Sequence, residues 1–222
     1  MPEHWKALKR VLQYLCNTAE WQLTYLPTTG NFTLDVYTDS SHANDLLTRR
    51  SIGGHLIVIN GCVIDWVSQH QPYVTLSSQE AEVVAASNAT THCLYWQEII
   101  KQMKLPRPDT VVHIDATAAM QLLSEPKHYS RSRHIAVRLL FTREHYKARE
   151  FKFNRISGNS NPADGLTKPI SRDRQQIYFD ALRSRNGVPV FVIGGTVRRP
   201  QGSDPKRPNS LDSKTSKKKK EG

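Results

Sequence analysis

No apolar run in the 222 residues approaches the ~20 that a bilayer-spanning helix needs, so the sequence offers no such helix. The opening Met-Pro-Glu-His-Trp does not read as a signal peptide. Cysteine is scarce. Cys16, Cys62 and Cys93 are an odd set without metal-ligand spacing, which argues against a disulfide framework and leads us to expect reduced thiols in an intracellular protein. No internal repeat is present, which sets solenoids and arrays aside.

What is there suffices for one sizeable domain with extensions: 38% of residues are hydrophobic, including four Trp. The formal net charge of +11 favours a polyanionic partner, nucleic acid first. That charge is uneven. Residues 183–222 hold eleven Lys/Arg against Asp204, Asp212 and Glu221, a net +8, which leaves +3 for the rest. We expect residues 184–222 to be a basic, largely disordered tail, in which Lys217–Lys220 is a weak nuclear-import signal.

Hydrophobic periodicity divides the remainder. Trp5, Leu8, Val11, Leu12 and Leu15 recur at helical spacing and predict an amphipathic helix over 3–16, one that reads as missing its packing partner. Strands are expected at 33–39, 53–60 and 62–69, the last two joined by Asn60-Gly61, a tight hairpin signal. Ser77-Ser78-Gln79-Glu80 matches a capping box and starts a long helix that Leu105-Pro106 ends. A strand at 110–115, helices at 116–124 and 133–149 and a strand at 151–156 follow. Asn161 suits N-cap and Pro162 N1 of a further helix, which would place Asp164 at N3. A strand at 188–193 is also suggested. This order predicts an α/β fold, a five-stranded mixed sheet in the order 3-2-1-4-5 with helices on both faces.

Four carboxylates stand out: Asp39 and Asp115 at strand ends, and Glu82 and Asp164 in early helical turns. In the order 3-2-1-4-5 the first and fourth strands are neighbours, so Asp39 and Asp115 fall side by side at the strand ends where open α/β sheets bind ligands. Like charges gathered this way call for a cation. Hard divalent ions take oxygen ligands, and two of them about 4 Å apart can clamp a phosphodiester for in-line hydrolysis. The residues therefore point to a two-metal nuclease. Glu80 is assigned to the helix cap rather than to the site.

The chain carries the motifs Tyr37-Thr-Asp39-Ser-Ser, Arg49-Arg-Ser-Ile-Gly53-Gly, Ser77-Ser-Gln-Glu-Ala-Glu82, Ile114-Asp115, Ser132-Arg-His134-Ile and Ala163-Asp164-Gly-Leu-Thr-Lys-Pro169. In order and spacing, over roughly 31–170, they resemble the ribonuclease H domain of copia-type LTR retrotransposon polyproteins. Residues 4–15 are similar to the stretch that joins that family's reverse transcriptase to its ribonuclease H. The resemblance implies a ribonuclease H-like fold over 31–183, with 1–30 a remnant of the reverse transcriptase connection. It implies hydrolysis of the RNA strand of RNA–DNA hybrids with two Mg²⁺ ions, for which Mn²⁺ can substitute. Products would carry 5′-phosphate and 3′-hydroxyl ends. Asp39 would bridge both ions, Asp164 would help hold the one that activates water, and Glu82 and Asp115 would hold the one at the leaving oxygen. The reverse transcriptase portion of the same polyprotein is a further expected partner, and a cytoplasmic virus-like particle or the nucleus the expected location. No membrane is expected.

Departures from the family pattern lie at the margin of the site. Ala116 follows Asp115 where Asn is frequent, Ser41-His42 stands where a Trp is usual, and no His occurs between 146 and 163. No Tyr-x-Asp-Asp polymerase motif is present. Arg49, Arg50, Arg131, Arg133 and His134 are candidates for contacts to the hybrid backbone, each weighed against a solvated surface role. His113 is expected to face away from Asp115. The Trp residues, Cys62 and Cys93 are expected in the core. Two rival readings stand beside this one. One is an Asp–Asp–Glu integrase using Glu150, which Asp115 precedes by 34 intervening residues but which falls at a helix end. The other is a catalytically silent nucleic-acid-binding fragment of a retrotransposon polyprotein.

Overall fold

The computed structural model describes residues 2–19, 25, 31–125, 133–171 and 174. All of them lie in the unit Met1–Phe191. The strand suggested at 188–193 and the basic tail lie outside the described residues. The sheet comprises β1 (Thr33–Ser41), β2 (Ile52–Ile59), β3 (Cys62–His70), β4 (Asp109–Ile114) and β5 (Lys152–Arg155), in the order β3-β2-β1-β4-β5. The β1–β2 and β2–β3 pairs are antiparallel; β1–β4 and β4–β5 are parallel. This is the expected order and mix.

Local chemistry explains the register. Asn60 and Gly61 have φ of 48° and 79°, the two left-handed residues that a type I′ hairpin requires. The Asn60 side-chain oxygen also accepts from the Thr33 amide at 2.9 Å, which ties the hairpin back to β1. A register shift between Ile57 and Val58 bulges the β2–β3 pair.

Alternation along β1 then builds two apolar layers. Leu34 and Val36 cluster with Ile57, Val112 and Ile114 on one side, while Tyr37 clusters with Leu56, Val58 and Val63 on the other. Full burial of each such side chain is worth about 1.5–3 kcal/mol. The first layer is covered by the helices α2 (Ser78–Gln102), α3 (Thr117–Ser124) and α4 (Arg133–Lys147), the second by the single turn α5 (Asp164–Thr167).

The start of α2 is set by its cap. Ser77 accepts from the Glu80 amide at 3.2 Å, while the Glu80 carboxylate accepts from Leu76 at 2.8 Å, one residue earlier than a standard capping box. Ala81, Ala85, Ala86 and Ala89 are all buried, so the helix lies close on β1 and β2. The expectation that His113 faces away from Asp115 does not follow from strand alternation, which puts residues two apart on one face; His113 is buried. It bonds Asp35 at 2.8 Å and Asn154 at 3.1 Å and stacks on Tyr37. In α1 (Pro2–Asn17) the stripe Trp5, Leu8, Val11, Leu12 and Leu15 is roughly half exposed.

Three expectations need correction. Cys62 is only half-buried, although Cys93 is fully buried. Trp5 and Trp66 are exposed, because Trp66 sits on the edge strand β3 and Trp5 on the open stripe of α1. The last helix begins at Asp164 rather than at Pro162. Asn161 does not cap it; its side-chain oxygen accepts from Ala163 at 3.1 Å, a local turn, and its amide donates to Thr38 of β1 at 2.9 Å. That buried bond anchors the segment to the sheet and delays the helix.

Gly54 lets α5 lie this close. A Cβ there would stand 2.8 Å from Leu166 Cβ and 2.9 Å from Thr167 Cγ2. Gly54→Ala is therefore expected to cost about 1–3 kcal/mol and to push α5 off the sheet. Urea denaturation checks it, and an unchanged midpoint would show that α5 does not rest on this glycine.

Candidate active site

Asp39 lies near the end of β1, opposite Gly54 in the register. Asp115 follows the last residue of β4, and because Thr38 pairs with Ile114 in parallel, the two acids emerge at the same sheet end. Glu82 comes from the second turn of α2, which crosses β1 on its alanine face. Carboxylate oxygens of Asp39, Glu82 and Asp115 lie within 4.8 Å of one another. Asp164 joins them from α5 through two neighbours on its own turn. Thr167 Oγ1 donates to Asp39 Oδ2, and the Lys168 ammonium pairs with Asp164 Oδ1 while standing 4.0 Å from Asp39 Oδ2. Arg174 holds Asp164 Oδ2 at 2.7 Å and donates to the Gly158 carbonyl at 2.9 Å. Three of the four predicted acids thus cluster directly, while Asp164 is joined to Asp39 through Lys168.

Its electrostatics follow from burial and crowding. Asp39 is 1% exposed, Asp164 2% and Glu82 9%. Burial raises the Glu82 carboxyl to about 8; the Asp39 and Asp115 charges add to this and contacts with Ser40 oppose it. Burial likewise raises Asp39 to about 6, with Thr167 and Lys168 pulling down and Asp115 and Asp164 pushing up. Asp115 is also raised, mainly by burial. For Lys168, burial opposes the charge, but the bond to Asp164 and the charges of Asp39, Asp164 and Asp115 outweigh it and hold the ammonium above the usual lysine range.

Lys168 compensates only one flank. On the other, Glu82 Oε2 is buried without a hydrogen-bond partner. An all-oxygen donor set with an orphaned buried carboxylate oxygen fits a hard divalent cation. The site can therefore hold either protons or metal, and it is short of positive charge.

The other candidates are placed differently. Arg49 and Arg50 are exposed on the turn after β1, which Asp45 organises by accepting from Leu47 and Thr48. Arg131 lies outside the described residues. Arg133 and His134 open α4, but their side chains are outside the described set. Glu150 bonds His145 at 2.6 Å beyond the end of α4 and is not among the clustered acids, which removes the geometric basis for the integrase alternative. Thr167, Lys168 and Arg174 were not singled out from sequence. The Asp164–Lys168 spacing of four was the available signal for one of them.

The topology and the acidic centre define an α/β chain of ribonuclease H-like architecture. No protein-family model matches it. It is 33% identical over 175 residues to the retrovirus-related Pol polyprotein from transposon TNT 1-94 of Nicotiana tabacum, covering 79% of this chain and 13% of that protein. It is 31% identical over 188 residues to the polyprotein from transposon RE2 of Arabidopsis thaliana, covering 84% and 12%. The secreted RxLR effector protein 161 of Plasmopara viticola is 42% identical over 94 residues, 42% of this chain and 66% of that protein. Among solved structures, LC11-RNase H1 in complex with an RNA/DNA hybrid superposes with a TM-score of 0.47 at 15% identity, covering 61% of this chain and 94% of that one. The chain is thus similar to the retrovirus-related Pol polyproteins of transposons, and spans about an eighth of the length of the polyproteins it matches.

The raised carboxyls link stability to pH. The folded state keeps protons on Glu82 and Asp39 that the unfolded chain releases near pH 4, so the contribution of these two groups to metal-free stability is greatest at low pH and falls as pH rises toward about 8, while buried His55, held near about 4, acts in the opposite sense. At about 1.4 kcal/mol per pKa unit the loss is on the order of a few kcal/mol. Glu82→Gln should flatten this fall and make the metal-free protein more stable than its parent at pH 8. Thermal melts at pH 5 and 8 in chelator check it, and parallel curves for the two proteins would refute it.

Proposed function

We propose that the chain is the ribonuclease H module of a retrotransposon polyprotein and cleaves the RNA strand of RNA–DNA hybrids with two Mg²⁺ ions during reverse transcription. The observation that carries this reading is the convergence of Asp39, Glu82 and Asp115 within 4.8 Å, with Asp164 linked to Asp39 through Thr167 and Lys168. Similarity to the Pol polyproteins supports the setting in reverse transcription.

Asp39, Glu82 and Asp115 would hold metal, with Asp164 completing the set. Bound ions would supply charge stabilisation to the attacking and leaving oxygens of an in-line displacement. The residues of the chain prepare for this. Thr167 orients the Asp39 carboxylate by donating to Oδ2. Arg174 and Lys168 fix Asp164 from two sides. The half-exposed Lys168 can turn from Asp164 to a substrate phosphate, and this exchanges one anion for another at little cost. Asn161 and Gly54 keep α5 on the sheet so that these groups stay in register. The open apolar stripe of α1 suits packing against the reverse transcriptase portion of the same polyprotein.

One observation favours the silent-binder alternative: Lys168 already serves as an internal cation for Asp164. Cleavage of a labelled RNA–DNA hybrid in Mg²⁺ or Mn²⁺, with RNA–RNA and DNA–DNA controls, separates the two. We expect hybrid-only cleavage that chelator abolishes. Asp115→Asn should lower it on the order of 100-fold or more, since even outer-shell changes at metal sites cost about 10–100-fold. Hybrid binding should persist in the variant. A folded parent that binds hybrid and cuts nothing would establish the silent reading.

A further inference from the structure

A second cluster of metal-ligating side chains lies apart from the acidic centre. His55 is on β2, Asp65 on β3 and His92 on α2. Each offers one ligand atom, and these atoms lie within 4.8 Å of one another. His92 is ten residues beyond Glu82 on the same helix, about 15 Å along its axis, so the cluster is separate from the acidic centre. We propose that His55, Asp65 and His92 form a metal site for a borderline divalent cation, Zn²⁺ foremost, which pins the β2–β3 hairpin to α2.

Three features argue for a ligand rather than a self-contained polar cluster. His55 is 2% exposed and its Nε2 is buried without a hydrogen-bond partner, a costly arrangement that coordination would relieve. Its ring sits 4.4 Å from that of His92, a close approach for two groups that would repel if both were protonated. Asp65 is already oriented, since Trp96 Nε1 donates to its Oδ2 at 3.0 Å and His92 Nδ1 lies 3.1 Å from the same oxygen. An indole that fixes a liganding carboxylate is a typical outer-shell arrangement.

Two imidazoles and one carboxylate match the mixed nitrogen and oxygen set that Zn²⁺ accepts, with a fourth position open to water. The side chains of His92 and Asp65, 40% and 25% exposed, give the ion its entry path. Zinc ligands lie about 2.0–2.1 Å from the metal, so the donor atoms must draw together. Rotation of the half-exposed His92 supplies that movement.

Co²⁺ titration of the tag-free full chain tests the site, with excess Mg²⁺ present to occupy the acidic centre. We expect a single equivalent to give the intense visible absorption of a low-coordinate Co²⁺ site, displaced by stoichiometric Zn²⁺, and Zn²⁺ to raise the melting temperature. His92→Ala and Asp65→Asn, checked for native circular dichroism, should each weaken binding at least about tenfold. Asp65→Asn keeps an oxygen for Trp96, so its loss of binding would not reflect a lost fold. Asp115→Asn should leave the band intact. Absence of the band in the parent, its persistence in both His92→Ala and Asp65→Asn, or its loss in Asp115→Asn would overturn the proposal.

Discussion

Carboxylates brought within 4.8 Å of one another in a largely buried position repel strongly, and a fold that gathers them must supply protons or cations. That constraint governs the described structure. Burial raises Asp39 and Glu82 toward the protonated form, Lys168 supplies one positive charge from α5, and one buried oxygen of Glu82 is left without a partner. A scaffold that merely tolerated acids would not pack them against an alanine-lined helix and a glycine-backed strand.

The sheet and α5 produce the gathering. Parallel pairing of β1 with β4 carries Asp39 and Asp115 to one end, and the small residues of α2 bring Glu82 down onto it. The short turn α5 would be negligible as an isolated helix. It is held instead by tertiary bonds: Asn161 to Thr38, Thr167 to Asp39 and Ser68 to the Leu166 carbonyl. The segment that delivers Asp164 is thus tied to the strand that delivers Asp39, so the geometry of the centre and the stability of that layer are coupled.

Much of this was legible in the sequence, because strong local signals agreed with one another. Asn60-Gly61 set the hairpin and Ser77 set the start of α2; with those in place the strand order put Asp39 and Asp115 together. What was missed depended on tertiary partners. Asn161 reads locally as a helix cap, yet its amide is used by a strand 123 residues away. Trp66 reads as core until β3 is known to be the edge. Thr167 and Lys168 sat within a quoted motif without a role, since only the packing of α5 on β1 reveals what they touch. The His55–Asp65–His92 cluster has no linear spacing that identifies it, because its members come from three elements.

The central claim is that the clustered acids are a divalent-cation site for which Lys168 provides partial compensation. The most direct measurement is an anomalous diffraction map of crystals soaked in Mn²⁺. The account requires density between Asp39, Glu82 and Asp115, with the Lys168 ammonium displaced from Asp164. A map without density there, in crystals that leave the site open to solvent and with Lys168 still paired to Asp164, would contradict it.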